Sequence, residues 1–360
     1  MGYRYALIGC GRISPNHIAA AIDNGLEIVA LCDIVPEKME EKINMFQLPE
    51  TTHTYTDYQE MLRKERPELV AIATDSGKHA AIALNCIEEG CNLIIEKPIA
   101  LSLEDADAII NKAKEKGCKV CTCHQNRFNK AILKIREAVE AGRFGRLFHG
   151  TANIRWNRNE DYYKQADWRG TWEQDGGALM NQCIHNIDLL RWMLGDEIDE
   201  VIAITDNLNH SYIEAEDFGI ALLRFSNGSY GIIEGTTNVY PRDLEETLYL
   251  FGEYGTVKAE GKSVNIIAEW CFADHSQEDD LVKQECHENP PNVYGYGHKP
   301  LYEDVIKALE NDREPYVNGE AGRRAVELVL AIYKSAEDGI SVKLPLERGS
   351  TLEYRGRFLR

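Results

Sequence analysis

The sequence predicts an α/β protein in two parts: a doubly wound parallel sheet, then an α+β part with an open, mainly antiparallel sheet packed with helices. Three observations carry this. Short apolar runs alternate with helical stretches through the first third, as expected for strands covered on both faces. The first run ends in Gly9-Cys10-Gly11-Arg12-Ile13-Ser14, directly before a helical stretch. After about residue 123 the segments lengthen and alternate apolar with polar residues, as half-buried strands do. The 360 residues exceed one ordinary core and suit two domains, placed at 1–122 and 123–360.

In order, Tyr5–Ile8 reads as a strand and Pro15–Asp23 as a helix. Glu27–Cys32 is a strand that stops at Asp33, and Pro36–Phe46 is a helix. Thr54–Glu65 holds a connection and another helix. Leu69–Ala73 and Asn92–Ile95 are strands, separated by a helix over His79–Glu89. Leu103–Lys116 is helical and stops near Gly117, and Lys119–Thr122 is a strand. In the second part, Phe218–Phe225 and Gly228–Ile233 form a hairpin around Asn227-Gly228. Thr247–Phe251 and Thr256–Ala259 are further strands. Helices are expected over Gly177–Leu194 and Glu320–Ala336, and a polar loop over Ser276–Pro291.

Hydrophobic residues make up 44% and charged residues 28%, which excludes a disordered or low-complexity chain. The net charge of −19 opposes a nucleic-acid backbone partner and an anionic membrane surface. No apolar run approaches the length of a membrane span, and no secretory signal is evident at Met1-Gly2-Tyr3-Arg4. The ten cysteines are scattered, which fits a reducing cytoplasm. Cys118, Cys121, Cys123 and His124 begin like a zinc motif, but no second Cys-x-x-Cys pair completes it, and no metal is expected.

The Gly9-x-Gly11 turn suits a dinucleotide. The first glycine allows the tight turn, and the second lets a pyrophosphate approach the helix N-terminus at Gly11, Arg12 and Ile13. Ser14 stands where a third glycine is usual and is small enough. Asp33, at the end of the second strand, would accept from both ribose hydroxyls and repel a 2′-phosphate, so NAD is expected over NADP. Glu96-Lys97-Pro98 ends a strand where open α/β sheets place ligands. An ammonium there can orient a substrate hydroxyl and stabilise developing negative charge. If Gly177 onward is a regular helix, Asn181, His185 and Asp188 share one face. Asp175 and the glycines after it would form a turn feeding that face.

Together the glycine fingerprint, Glu96-Lys97-Pro98 and the Gly176-Gly177…His185-x-x-Asp188 segment resemble the glucose–fructose oxidoreductase/inositol dehydrogenase/rhizopine catabolism (Gfo/Idh/MocA) family over nearly the whole chain. The resemblance implies an N-terminal Rossmann domain, a C-terminal domain whose open sheet forms homodimer or homotetramer contacts, and NAD(P)-dependent oxidation of a sugar or cyclitol hydroxyl. It implies Lys97 and His185 as catalytic residues, and Thr74, His79, Glu96, Trp168 and Arg169 on the cofactor. The family usually has Asp four residues before the histidine. Asn181 stands there, so Asp188 or solvent is left to complete the proton path.

A narrower resemblance rests on Arg155-Trp156-x-Arg158, Tyr162-Tyr163, Trp168-Arg169-Gly170-Thr171-Trp172, Tyr296-Gly297-His298 and Gly319-Glu320-x-Gly322-Arg323-Arg324. It points to members acting at C3 of UDP-N-acetylglucosamine-type sugars, notably the UDP-N-acetylglucosaminuronate 3-dehydrogenases. It implies Arg155, Arg158, Tyr163, Asn181 and Lys164 as substrate contacts. A free sugar, inositol or glycoside as substrate, and a regulator that binds the dinucleotide without turnover, remain alternatives at this stage.

Overall fold

The computed structural model describes residues 2–275, 279–290 and 292–358. The chain divides into two units, Met1–His124 with His298–Arg323, and Gln125–Gly297 with Arg324–Arg360. The expected boundary at 122/123 falls two residues before this break, but the return of residues 298–323 to the first unit was not foreseen.

In chain order the first stretch runs β1 (Arg4–Ile8), α1 (Ser14–Asp23), β2 (Glu27–Cys32), α2 (Pro36–Phe46), β3 (His53–Tyr55) and α3 (Tyr58–Glu65). It continues with β4 (Leu69–Ile72), α4 (His79–Glu88), β5 (Asn92–Glu96), α5 (Leu103–Lys116) and β6 (Val120–Cys123). Then follow α6 (Lys130–Glu140), β7 (Leu147–Arg155), α7 (Glu160–Tyr163) and α8 (Ile184–Leu194). The strands β8 (Ile198–Asp206), β9 (Phe218–Phe225), β10 (Tyr230–Thr236), β11 (Glu245–Gly252), β12 (Gly255–Glu260) and β13 (Ile266–Phe272) come next. The last elements are α9 (Asp279–Glu285), α10 (His298–Glu310), α11 (Gly319–Asp338) and β14 (Val342–Lys343).

The first sheet has the order β3-β2-β1-β4-β5-β6, with every pair parallel. Strand β4 is buried throughout and β5 is buried after Asn92, which explains their apolar runs. The order reverses between β1 and β4, so the loops after β1, β4 and β5 share the carboxyl edge where such sheets bind ligands. The short polar edge strand β3 was read as a connection, because His53-Thr54-Tyr55 carries no apolar run.

The second sheet has the order β13-β12-β11-β7-β10-β9-β8-β14. Only β7 and β10 pair in parallel; the other neighbours run antiparallel. Gly150 and Gly235 lie on the covered face. A Cβ at Gly150 would come within 2.9 Å of Leu190, and one at Gly235 within 2.7 Å of Cys183 Sγ. So α8 and the turn before it press close onto this face. The opposite face carries exposed Ile202, Ile204, Leu222 and Tyr230.

Two expectations are corrected here. The segment 177–194 is helical as expected but not regular: after Gly177 and Ala178 it passes through a π-turn at Leu179–Cys183 before α8. The loop expected over 276–291 contains α9, while Ser276–Glu278 and Pro291 lie outside the described residues. Asp279 anchors that helix by accepting from Trp270 Nε1 at 2.7 Å and from Arg143 at 2.9 and 2.8 Å. No helix among the described residues is long and apolar enough to cross a membrane.

Candidate active site

Each unit carries one set of the expected side chains. In the first unit, Gly9 has φ 98°, and a Cβ there would lie 2.5 Å from the Ala73 carbonyl oxygen. Only glycine permits this loop to close on β4. A Cβ at Gly11 would meet nothing within 4 Å, so open space borders the loop where a pyrophosphate would lie. Ser14 is buried and donates its hydroxyl to the Gly11 carbonyl at 2.7 Å. Asp33 accepts from the Cys10 amide at 2.8 Å and the Val35 amide at 2.9 Å, which fixes its carboxylate beside the turn. Arg12 is exposed, and Ile13 and Thr74 are half-buried. These residues fit a bound dinucleotide.

Lys97 is half-buried at the end of β5. His79 is buried, with Nδ1 2.8 Å from the Pro98 carbonyl and Nε2 3.2 Å from that of Thr74. It ties the turn after β4 to the turn after β5, and burial pushes its pKa down. Thus its side chain braces the cofactor edge from behind.

Glu96 turns inward instead of toward a ligand. Its Oε1 lies 3.0 Å from His17 Nε2 and 3.6 Å from His298 Nε2, and its Oε2 accepts from the Lys97 amide at 3.2 Å. His17 Nδ1 lies 2.7 Å from Tyr302 Oη, which is 2.9 Å from Tyr5 Oη. The β5–β6 register sets Cys123 opposite Glu96. The donor atoms of His17, Glu96, Cys123 and His298 all lie within 4.8 Å of one another. Burial pushes the Glu96 carboxyl up, but the hydrogen bond with His17 and the nearby His298 imidazole outweigh it and hold the group well below the usual range. Sequence reasoning missed this cluster, because its members are 281 residues apart in the chain, from 17 to 298.

In the second unit the π-turn carries Asn181, and His185 stands half-buried in the first turn of α8. Insertions of this kind recur at functional sites because they re-aim side chains. A chain of hydrogen bonds runs along this segment. Arg158 Nε donates to Gln182 Oε1 at 2.9 Å, Gln182 Nε2 donates to Asn181 Oδ1 at 2.7 Å, and Asn181 Nδ2 donates to Asp175 Oδ1. Tyr162 Oη joins the chain, accepting from Gln182 Nε2 at 2.9 Å and from Arg169 Nη1 at 2.6 Å. The guanidinium of Arg169 lies 4.6 Å from the Trp168 ring centroid. Its buried Nε has no acceptor among the described residues, a feature that suits an incoming anionic group. Tyr162 and Gln182 are not among the expected contact residues, while Asp175 was expected only as part of a turn feeding this face.

Four expected site residues do not join this hydrogen-bonded chain: Asp188, Arg155, Lys164 and Tyr163. Asp188 is fully buried and bonded to Arg127 at 2.6 Å through each oxygen, so its charge is committed to that ion pair. Arg155 alternates with buried Ile154, on the opposite face of the sheet, where it pairs with Glu234 at 2.5 Å and with Glu245. Lys164 is an exposed partner of Glu160 at 2.8 Å. Tyr163 is buried between Tyr162, whose ring it meets edge-on at 5.2 Å, and His210 and Tyr212, and burial raises its pKa. The terminal motif is structural as well. Arg323 pairs with Asp107 at 2.6 Å, Arg324 with Asp196 at 3.2 Å, and a Cβ at Gly322 would meet Thr122.

Comparison with known proteins agrees with this arrangement. Residues 3–124 match the oxidoreductase family with an NAD-binding Rossmann fold, and residues 132–258 match the GFO/IDH/MocA C-terminal domain. The structure resembles the WlbA dehydrogenase from Bordetella pertussis in complex with NADH and UDP-GlcNAcA. Identity is 38%, the TM-score 0.90, and the match covers 96% of this chain and 99% of that one. The Chromobacterium violaceum WlbA dehydrogenase, also with NADH and UDP-GlcNAcA, is 34% identical with a TM-score of 0.87, covering 96% and 97%. The myo-inositol 2-dehydrogenase of Thermotoga maritima is 26% identical over 357 residues, covering 95% of this chain and 98% of that one. The chain belongs to the Gfo/Idh/MocA family, as an NAD-dependent dehydrogenase of sugar-type substrates.

Proposed function

We propose that this protein oxidises the C3 hydroxyl of UDP-N-acetylglucosaminuronate, or a close nucleotide sugar, to the 3-keto sugar. One observation carries the reading. The relatives that are 38% and 34% identical over 96% of the chain were solved with NADH and UDP-GlcNAcA. Arg158 and Arg169, linked through Tyr162 and Gln182, supply guanidinium donors for the anionic groups of such a substrate.

NAD, when bound, supplies the hydride acceptor. Lys97 donates a hydrogen bond to the C3 oxygen and stabilises its negative charge as the C–H bond breaks. His185 takes the hydroxyl proton as general base. Asp33 would hold the adenosine ribose and the amides from Gly11 to Ile13 the pyrophosphate.

The protein works as a homo-oligomer through its open sheet. Exposed Ile202 and Leu222 pair across β8 and β9, and Ile232 continues the row on β10. Such a contiguous apolar row fits a second copy of the same face.

The test is NADH formation with UDP-N-acetylglucosaminuronate, UDP-N-acetylglucosamine, free sugars and inositols. Turnover confined to UDP-sugars supports the reading. Turnover confined to free polyols overturns it.

A further inference from the structure

We infer that Asp175 is a positioning residue: its carboxylate and the Asn181 amide form one exchangeable pair that sets the direction of the hydrogen bonds leading to the turn before His185. The inference rests on His185 acting as proposed, but its geometry stands within one segment. Asp175 is 3% exposed and Asn181 9%. Asp175 Oδ2 accepts from the Gly170 amide at 2.7 Å, and Oδ1 accepts from Asn181 Nδ2. Every donor in the chain points the same way, from Arg158 to Gln182, to Asn181, to Asp175. A guanidinium starts the chain and a carboxylate ends it. With both ends fixed, the two amides between them have one orientation each.

That polarity makes a specific demand. Exchanging the two side chains, Asp175→Asn with Asn181→Asp, preserves each bond. The new carboxylate at 181 accepts from Gln182 and from the amide at 175, whose oxygen still accepts from Gly170. Neither single change does so. Asn181→Asp sets two buried carboxylates against each other, with Glu216 and Tyr163 also feeling the charge at 175. Asp175→Asn turns an N–H toward a donor, at Gly170 or at Asn181.

The experiment measures kcat, the KM for NAD and the melting temperature of the wild type, both single variants and the double exchange. Each single variant should lose about tenfold or more in kcat with little change in the KM for NAD, and the exchange should return kcat to within about threefold of wild type. A single variant with full kcat, or an exchange no better than the worse single, overturns the inference. Recovery of the melting temperature without recovery of kcat also overturns it, since a purely structural pair behaves so. If no sugar is turned over by the wild type, the proposed function fails. In that case the positioning role falls with it, and the melting temperatures test the pairing alone: an exchange that recovers neither single loss overturns that as well.

Discussion

Arg127 and Asp188 form a two-point ion pair inside the second unit, with both nitrogen–oxygen distances at 2.6 Å and the side chains 4% and 0% exposed. The Arg127 guanidinium also lies 4.7 Å from the Trp192 ring centroid, so the pair pins the turn at Gln125–Phe128 to α8. This occupies the carboxylate that follows His185 by three positions.

Breaking one side of that pair leaves a buried charge alone. Asp188→Asn should cost about 3–5 kcal/mol in denaturant unfolding while NADH binding to the first unit persists. An Asp188→Asn protein as stable as wild type would assign the residue to the site after all.

Lys97→Met should lower kcat about a hundredfold or more with NAD affinity retained, because the ammonium acts on the substrate oxygen. Cofactor affinity is read by NADH fluorescence. Near-normal turnover would remove the lysine from the mechanism.

Glu216 predicts a pH dependence of stability. It is fully buried, and burial pushes its carboxyl from 4.5 up to about 8. Leu179 N at 2.7 Å and Tyr333 Oη at 2.9 Å oppose this without cancelling it. The folded chain therefore holds a proton that the unfolded chain releases between those pH values. Its contribution is full below pH ~4.5, falls as pH rises toward ~8, and is constant above. In Glu216→Gln this slope should vanish, so melting curves from pH 5 to 9 should shift in favour of the variant with rising pH. Parallel curves would contradict the assignment.

The apolar face of the second sheet predicts assembly. Leu222→Glu, at a position 51% exposed in the monomer, should dissociate the oligomer by light scattering without unfolding it. A wild type that is monomeric at micromolar concentration would contradict the proposal.

Glu96, bonded to His17 and to the Lys97 amide, braces the Lys97 turn, and no metal is expected among it, Cys123 and His298. Exhaustive chelation should leave activity and melting temperature unchanged. Loss of either, restored by one divalent metal, would make the cluster a metal site.

The local signals in the sequence carried far. Pro36 opens α2, and Ser102 caps α5, accepting from Asp105 N, while Gly117 at φ 70° closes it; both helices have the expected bounds. The glycine turn and Asp33 were legible because one loop holds them together. Arg155 was not, because its partners Glu234 and Glu245 lie 79 and 90 residues away. The π-turn was hidden for a similar reason. What favours it is the close approach of Leu179 and Cys183 to Gly235 and the bond from Leu179 to Glu216, contacts made by other strands and loops. The family resemblance implies Glu96 on the cofactor, yet alternate strand residues face opposite sides, and Glu96 faces the histidines.

The central claim is oxidation at C3 of a nucleotide sugar. The most direct measurement is single-turnover reaction of UDP-N-acetylglucosaminuronate carrying deuterium at C3, followed by mass analysis of the reduced cofactor. The account predicts that the deuterium appears in NADH, one mass unit heavier, with a 3-keto product. Unlabelled NADH would contradict it and move the oxidation to another carbon.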